Sequence, residues 1–461
     1  MAPISTPLAG AKFTLNSAGV AGFFGGEEAI SAMATVHLYK GRRFLGWFNS
    51  PGSYTIAKRF GRMANSRFWD GLFPGTNDSP AVSFELDGKQ GPKYTAALSG
   101  TTLRTRHLGY LTMERSKELM AEEILGRKTK PVAVSYLAMK EVDYDAPVKL
   151  LPLNDALYGL IPITVSVVTC TMCALVYDWF SFSMILLGII SSGLASYIIG
   201  KGKLAIKSVK KPAEGSPPGH GVLIGEDEVV VIKGKERDVN AITKGCFDLE
   251  TDTHAKPDEE GNGVAPSYHA IGFCSFLLII QFLLQLLLIP QGTLFGQIMF
   301  LISLGVSWGY NSYLSSLEKD KIQTDILFET LGNPDMLRFR TLTRTTMAVF
   351  VCLLLFHNVE VQKEREHDLY VNILHSCVPN DTVVWKLWTE KVVKQLQNVE
   401  DESLLYLEKD EQEGDPVLSE EERKLLGELL DDAESAFRGY IGVRGGLPDD
   451  SSCQTKINGK L

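Results

Sequence analysis

Two long runs almost without charge constrain this chain more than any other feature. Between Ala156 and Gly200 the only charged side chain is Asp178, and residues 266–316 contain no Asp, Glu, Lys or Arg. A helix needs about 20 apolar residues to cross a bilayer, so each run is long enough for two passes. The runs exclude an ordinary soluble domain and predict an α-helical polytopic membrane protein that partners with the lipid bilayer.

Turn residues divide each run into two candidate spans. Asp178 separates the first span (156–177) from the second (179–200), and the turn at Asp178 is expected to touch water. The sequence Pro290-Gln291-Gly292 is a strong helix breaker that separates the third span (268–289) from the fourth (294–314). The sequence therefore predicts two transmembrane helical hairpins, at 156–200 and 268–314.

The charges that flank the spans predict their orientation. The two hairpin turns contain no Lys or Arg, whereas the second span is followed at once by Lys201, Lys203, Lys207, Lys210 and Lys211. Positively charged flanks stay in the cytoplasm. We therefore expect the N-terminal region, the loop at 201–267 and the residues after 314 to be cytosolic. The sequence does not identify the membrane.

The N-terminal region, residues 1–155, is expected to form a small soluble α+β region. Alternation of apolar and polar residues predicts strands at Val82–Leu86 and Pro131–Met139, with a helix at Glu114–Arg127 between them. Thr55–Trp69 has the spacing of an amphipathic helix, although Gly61 weakens that interpretation.

Basic and aromatic side chains alternate just before that predicted helix. They are Lys40, Arg42, Arg43, Phe44, Trp47 and Phe48. Such a mixture fits a surface that rests on anionic lipid head groups, and it fits equally well the aromatic core of the soluble region. The sequence leaves both interpretations open.

The chain after the fourth span divides into a linking segment (315–359) and an acidic helical tail (360–461). Thr345–Val359 is short for a span and is more typical of a buried core helix, with a full crossing as the alternative. Ser419 and Glu422 have capping-box spacing, which predicts a helix that starts near Glu420.

Two amphipathic faces in the tail are candidates for binding protein partners. One comprises Val384, Leu387, Trp388, Val392 and Leu396, and the other Leu425, Leu426, Leu429, Leu430 and Phe437. The alternative is that they pack on the N-terminal region. The net charge of −9 belongs to this tail, because residues 360–461 hold 23 acidic and 12 basic side chains, a balance of −11, and the rest carries +2. A nucleic-acid partner is not expected without a concentrated basic face.

Small and polar residues inside the spans predict how the helices pack. The small ones are Gly188, Ser192 and Ser196 in the second span, and Gly305 and Gly309 in the fourth. They favour close packing among the four helices, with formation of a homo-oligomer as the alternative. The intramembrane amides of Gln281, Gln285 and Gln297 favour hydrogen bonds between helices over a substrate path, because the spans contain no ionisable group at mid-depth.

No catalytic, cofactor-binding or metal-binding set emerges from the sequence. Cys170-x-x-Cys173 has the spacing of a metal or redox pair, but it lies inside the first span without a second Cys or His pair nearby. His254 and Asp258 fall in an acidic, Gly- and Pro-containing stretch that has the composition of unpacked chain. We expect no cofactor, and an enzyme is the least favoured class.

The two uncharged hairpins, the run Arg237-Asp238-Val239-Asn240-Ala241-Ile242-Thr243-Lys244-Gly245 and the motif Cys377-Val378-Pro379-Asn380-Asp381 resemble fungal multi-pass membrane proteins of unknown function. The resemblance implies no activity and no functional residue. The sequence favours a membrane-anchored scaffold or adaptor that recruits proteins through the tail. The alternatives are a transporter or channel subunit and, third, a membrane-bound enzyme.

Overall fold

The structure, a computed structural model, describes residues 7–8, 24–64, 67–75, 79–141, 148–152, 157–207, 212–250, 268–359, 363–397 and 418–448. The chain divides into two compact units, each assembled from three segments. The first unit takes residues 1–88, 146–205 and 247–326, and the second takes 89–145, 206–246 and 327–461. This grouping differs from the predicted series of consecutive regions, because residues 1–155 contribute to both units.

The first unit consists mainly of helices. Four long ones form where the sequence predicts spans: α6 (Leu160–Leu175), α7 (Trp179–Ile199), α9 (Tyr268–Leu288) and α10 (Leu294–Ser315). Four shorter helices precede them: α1 (Gly26–Ala34), α2 (Ser53–Met63), α3 (Arg67–Leu72) and α4 (Pro80–Ser83). The helix α11 (Lys319–Thr330) contains the boundary between the units.

Three helical stretches are long and apolar enough to cross a membrane: Leu157–Leu175, Trp179–Ile199 and Ala270–Gln291. The fourth predicted span forms the helix α10 but is not among these three, because polar residues such as Ser303, Ser307 and Asn311 interrupt its apolar sequence. The helices themselves are therefore where the sequence predicts them. The second transmembrane hairpin is not established by length and composition.

The structure corrects three short elements of the N-terminal region. The predicted strand at Val82–Leu86 is wrong: Ser79 caps the short helix α4, and Glu85 then adopts a positive φ of 58°, which ends any extended chain. The predicted helix at Glu114–Arg127 instead spans His107–Glu118 (α5). The predicted helix at Thr55–Trp69 is divided into α2 and α3, and Gly61 lies inside α2.

The second unit is built on seven strands: β1 (Lys93–Ala96), β2 (Thr102–Arg104), β3 (Glu122–Glu123), β4 (Val132–Ala138), β6 (Gly221–Ile224), β7 (Glu228–Lys233) and β9 (Asp335–Thr341). They form a mixed sheet in the order β2-β1-β6-β7-β4-β9-β3. The strand predicted at Pro131–Met139 is confirmed as β4, which pairs in parallel with β7 and antiparallel with β9. Two further strands, β5 (Lys203–Lys207) and β8 (Cys246–Glu250), form a separate two-stranded sheet, most of whose residues belong to the first unit.

The core of the second unit surrounds one helix, α12 (Arg344–Leu355). Every residue from Thr345 to Leu355 is buried, and the Phe350 ring packs edge-on against Phe339 of β9 at 5.3 Å between centroids. Thr345–Leu355 is therefore a buried core helix, which is the interpretation that the short length of the Thr345–Val359 segment favours. The remaining helices are α8 (Glu236–Thr243), α13 (Lys363–Cys377), α14 (Val383–Leu396) and α15 (Glu420–Val443).

The two amphipathic faces of the tail belong to this core. Val384, Leu387, Trp388, Val392 and Leu396 of α14 are buried, as are Leu426, Leu429, Leu430 and Phe437 of α15, while Leu425 is exposed. The Trp388 indole N–H donates to the carbonyl oxygen of Leu429 at 3.0 Å. The capping box of Ser419 and Glu422 is confirmed at the start of α15. Because the faces contact each other and α12, they offer no free docking surface.

Candidate polar site

A non-helical segment between α1 and α2 lies along the helix α7. This inner segment comprises residues 45–52, and its glycines and those of α7 allow close contact. A Cβ atom on Gly46 would lie 2.2 Å from the Ser196 Cβ atom, and one on Gly188 would lie 2.0 Å from the Asn49 Oδ1 atom. The small residues Gly188, Ser192 and Ser196 thus pack against the inner segment, and not against another long helix as the sequence predicts.

Asn49 brings the inner segment to the middle of three long helices. Its backbone N–H donates to the Ser166 hydroxyl of α6 at 3.1 Å, and that oxygen lies 3.1 Å from the Ser303 hydroxyl of α10. Both serines lie near the midpoints of their helices, as does Gly188 in α7. All these residues are buried, so the contacts form a polar layer halfway along apolar helices.

The helices α1 and α2 begin next to each other at this layer. Gly25 and Gly52 are their N-cap residues, both have left-handed φ angles (69° and 73°), and neither provides a side-chain cap. A Cβ atom on Gly52 would lie 2.3 Å from the Cα atom of Gly26. The first N–H groups of a helix have no partner within the helix and carry partial positive charge. Two such ends therefore converge between the long helices.

Several buried polar groups around this layer have no hydrogen-bond partner among the described residues. They are the Asn49 Nδ2 atom, the Ser53 and Ser307 hydroxyls and both amide atoms of Gln281. Gln285 donates to Asn49 Oδ1 (3.4 Å) and to the Met184 carbonyl (3.3 Å), while its own Oε1 is unpaired. The prediction of interhelical hydrogen bonds holds for Gln285 but not for Gln281. A buried polar group without a partner costs about 1–3 kcal/mol, so these atoms point to a ligand or water between them.

The helix α10 buries polar residues on the side that faces the protein and exposes apolar ones. Its buried residues include Gln297, Ser303, Ser307 and Asn311, whereas Ile302 and Trp308 are exposed. Gly305 and Gly309 lie on the outer side, and nothing lies within 4 Å of a Cβ atom at either position. The expected packing of these two glycines inside the protein is wrong, and the homo-oligomer alternative stays a prediction. The buried side of α10 thus combines polar side chains with apolar ones such as Phe300 and Leu304.

A second polar cluster closes one end of the helices at Asp178. The turn exposes Tyr177 and Trp179, but the Asp178 side chain itself is buried and caps α7 by accepting from the Ser181 N–H at 3.1 Å. It also accepts from the backbone N–H (2.8 Å) and hydroxyl (2.7 Å) of Thr293, the N-cap of α10. Gln297 donates to the carbonyls of Pro290 and Gly292. These hydrogen bonds connect the turn before α7 with the turn before α10, so the cluster stabilises the fold.

Arg42 is a buried arginine of this unit. It is 2% exposed, its Cζ atom lies 5.3 Å from the centre of the Tyr310 ring, and its Nε and one NH group have no partner among the described residues. It forms no ion pair there. Phe48 also packs on the Tyr310 ring, at 5.8 Å, and Asn311 donates to the Ser50 hydroxyl at 3.2 Å. The guanidinium therefore lies one aromatic ring away from the inner segment.

The lysines expected to set orientation follow α7 directly. Lys201 lies over the Tyr197 ring at 5.0 Å, and Lys203 and Lys207 lie in β5. Lys210 and Lys211 are outside the described residues, as are His254 and Asp258.

A histidine and two cysteines are further candidate groups for chemistry in this unit. Burial lowers the pKa of His37 to about 4, so that its ring is neutral at pH 7. Cys170 and Cys173 are buried free thiols. Among the described residues no group of three His, Cys, Asp or Glu could hold a metal ion.

The second unit contains its own buried charges, centred on Glu228 of β7. The Ser116 hydroxyl donates to its carboxylate at 2.6 Å, and the Arg338 Nε lies 3.3 Å from it. Arg338 also donates to the carbonyls of Lys117 and Leu119, which fixes the end of α5 to the sheet. A second carboxylate, Glu114, lies close enough to act on the charge of Glu228 but is paired with Lys117 at 2.7 Å, and the bonds of the cluster are those of a structural anchor.

Glu228 predicts a pH dependence of the second unit's stability. Burial raises the pKa of this carboxyl above its ordinary value of 4.5. Because the pKa is higher in the folded state than in the unfolded one, the folded unit binds the proton more tightly. The contribution of Glu228 to the free energy of unfolding is therefore fully present below pH 4.5, and it is lost as the pH rises through the raised pKa. We expect Glu228→Gln to leave the melting temperature at pH 7 unchanged or higher, and to flatten its change between pH 4.5 and 7. A large loss of stability at pH 7 in Glu228→Gln would contradict this, with Glu226→Gln as the matched control.

Comparisons of this chain with protein-family models, with curated proteins and with solved structures find no match. The polar layer between the long helices therefore has to be interpreted from its own geometry. Asn49, Gly52 and Ser53 are the site residues that the sequence analysis missed. The turn sequence Asn49-Ser50-Pro51-Gly52 directly before an amphipathic helix was the available signal, since Pro-Gly marks a chain reversal.

Proposed function

We propose that this chain is an integral membrane protein whose first unit carries a polar solute across the bilayer, as a transporter or channel subunit. The observation that carries the proposal is the inner segment, which brings two uncapped helix ends and unpaired polar groups to the middle of the long apolar helices. The four long helices would cross the bilayer, and the lysines after α7 support a cytosolic N-terminal region and 201–267 loop.

The exposed surface of the long helices supports a membrane location. Large apolar side chains are exposed along all four, among them Leu160, Val168, Phe180, Ile190, Phe276, Leu287, Ile302 and Trp308. A contiguous apolar surface of this kind is unfavourable in water and favourable in lipid. Two hairpins with α10 as the fourth span fit this surface, because the polar residues of α10 face inward.

The inner segment distinguishes transport from simple anchoring. Non-helical backbone at membrane depth is tolerated only where protein or a polar cavity surrounds it, and half-helices that start at mid-depth are typical of transporter and channel sites. An anchor needs no buried polar groups, and each unpaired one lowers stability. Asn49, Ser53 and Gln281 carry unpaired polar atoms that lower the stability of the fold. A solute, or the water that hydrates it, would pair with these atoms as it passes.

The scaffold hypothesis rested on the apolar faces of α14 and α15. Those faces are buried in the core of the second unit, so they support packing within the chain and not recruitment. The spans contain no ionisable group at mid-depth, which argued against transport from the sequence. The inner segment and the start of α2, which are not part of the four spans, provide buried polar groups such as Asn49 and Ser53.

The substitution Gln281→Met tests transport. Replacing an unpaired buried amide by an apolar side chain of similar size removes its desolvation cost, so we expect the melting temperature to rise, equivalent to about 1 kcal/mol. If the amide serves a passing solute, the same change lowers solute flux about tenfold. The measurement uses purified full-length protein in liposomes, with potassium, chloride and glycerol as the test solutes.

The matched control for Gln281→Met is Thr171→Val, which also removes a polar group. Thr171 lies on the exposed side of α6, and its hydroxyl bonds only to its own helix at Val167. We expect this control to leave flux unchanged. Liposomes no more permeable to any of the three solutes than protein-free ones would overturn the proposal, and so would full flux in Gln281→Met.

A further inference from the structure

We propose that the first unit binds a small inorganic anion at the N-terminus of α2, between the Ser53 hydroxyl and the Asn49 side-chain amide, with Arg42 as its balancing cation. This inference rests on the proposed transport function for its biological meaning. The binding site itself is argued only from the residues that surround the inner segment.

The N-terminus of α2 supplies the first part of the site. This helix has 11 residues, no side-chain cap and no acidic residue in its first turn. Its first backbone N–H groups and its dipole favour an anion. The adjoining helix α1 contributes its own N-terminal backbone at Gly26, but its first turn contains the exposed Glu27 and the half-buried Glu28. The α2 end is therefore the electropositive one.

Unpaired donors provide an independent second observation. Ser53 is the first residue of α2, is 1% exposed, and its hydroxyl has no partner among the described residues. Asn49, fully buried three residues before Gly52, has an unpaired Nδ2, whose two hydrogens can only be donated. A hydroxyl and an amide N–H₂ beside a helix N-terminus form a donor set, which suits an anion and not a metal cation.

Arg42 provides the charge argument. A buried guanidinium without an acidic partner is strongly unfavourable, and buried charges in proteins are paired. Asp178 is a buried carboxylate at the start of α7, where it accepts hydrogen bonds from Ser181 and Thr293. Arg43, the neighbour of Arg42, lies beside Gly200 at the opposite end of α7. Asp178 therefore cannot serve Arg42, which has no acidic partner among the described residues. An anion at the start of α2, one aromatic ring away, balances this charge without direct contact.

The close approach of the two helix ends limits where the anion can lie. Gly26 and Gly52 leave no room for even one Cβ atom between them, so the anion lies on the Ser53 side of this contact and not between the two glycines. The donors are a hydroxyl and an amide, which bind chloride, nitrate or phosphate by the same hydrogen bonds. The experiment separates these anions.

Binding is measured first, on purified full-length protein in detergent. The melting temperature is followed against increasing sodium chloride, nitrate, sulfate or phosphate, with gluconate keeping ionic strength constant. We expect a saturable rise with at least one of these anions. Arg42→Gln should raise the anion concentration needed for half-saturation about tenfold or more, and Ser53→Ala should raise it by a smaller factor. Arg42→Lys should bind the anion nearly as tightly as the wild-type protein.

The matched control is Arg43→Gln, the neighbouring arginine. Arg43 is only half-buried and lies over the rings of Phe44 and Tyr197, away from the inner segment. We expect its half-saturation to equal that of the wild-type protein. No saturable rise with any anion, or an unchanged response in Arg42→Gln, overturns the anion site. An equal loss in both arginine variants overturns it as well, because it would indicate general surface charge.

Flux in liposomes then separates the two proposals. Passage of potassium or glycerol without chloride would overturn the anion site and keep transport. Saturable anion binding without flux of any solute would overturn transport and keep the anion site. Chloride flux that falls with Arg42→Gln but not with Arg43→Gln supports both.

Discussion

The substitution Gly52→Ala should be among the most damaging single changes in the first unit. A left-handed φ of 73° costs a residue with a side chain about 1–2 kcal/mol, and the new Cβ atom would lie 2.3 Å from the Gly26 Cα atom, which is backbone and cannot move aside. Overpacking of this kind costs about 1–3 kcal/mol more. We expect the melting temperature of the full-length protein in detergent to fall by about 10 °C.

Two further variants separate the causes of the Gly52→Ala effect. Asparagine tolerates a left-handed φ but still has a Cβ atom, so Gly52→Asn should be nearly as damaging. Gly305→Ala places a Cβ atom on the open side of α10, with nothing within 4 Å, and should leave the melting temperature close to wild type. A wild-type melting temperature for Gly52→Ala would show that α1 and α2 do not meet at this glycine, and the anion site would lose its framework.

In the second unit, the largest effect is expected for Trp388→Ala. Its indole is 1% exposed inside the core, and its N–H donates to Leu429 of α15. Truncation of a buried tryptophan costs about 3–5 kcal/mol through lost burial and the cavity left behind. We expect a large fall in melting temperature and faster hydrogen exchange of the α12 amides.

The control for Trp388→Ala is Trp385→Ala, in the same helix. Trp385 is only partly buried, and its ring packs on that of Trp388 at 5.3 Å, so its loss should cost clearly less. If instead Trp388→Ala left stability unchanged, the apolar face of α14 would not be core. The earlier interpretation of this face as a docking surface for proteins would then return.

Local features of the fold were predictable because they depend on neighbouring residues. The capping box at Ser419 and Glu422 requires only residues three apart, and the strand β4 is visible as alternation within nine residues. Val82–Leu86 failed because Pro80 after Ser79 initiates a helix, a signal that outweighed the alternation. The grouping into two discontinuous units could not be predicted, because it depends on which distant segments pack together.

The sequence by itself determined the four long helices and their breaks, because runs of apolar residues and a Pro-Gly turn act over short distances. It also determined the amphipathic faces of α14 and α15, but not what covers them. Only the tertiary structure decided that these faces form a core with α12, and that the inner segment lies among the long helices. Asn49 lies more than 100 residues from its hydrogen-bond partners Ser166 and Gln285. Contacts across such distances are selected by packing, which no local pattern encodes.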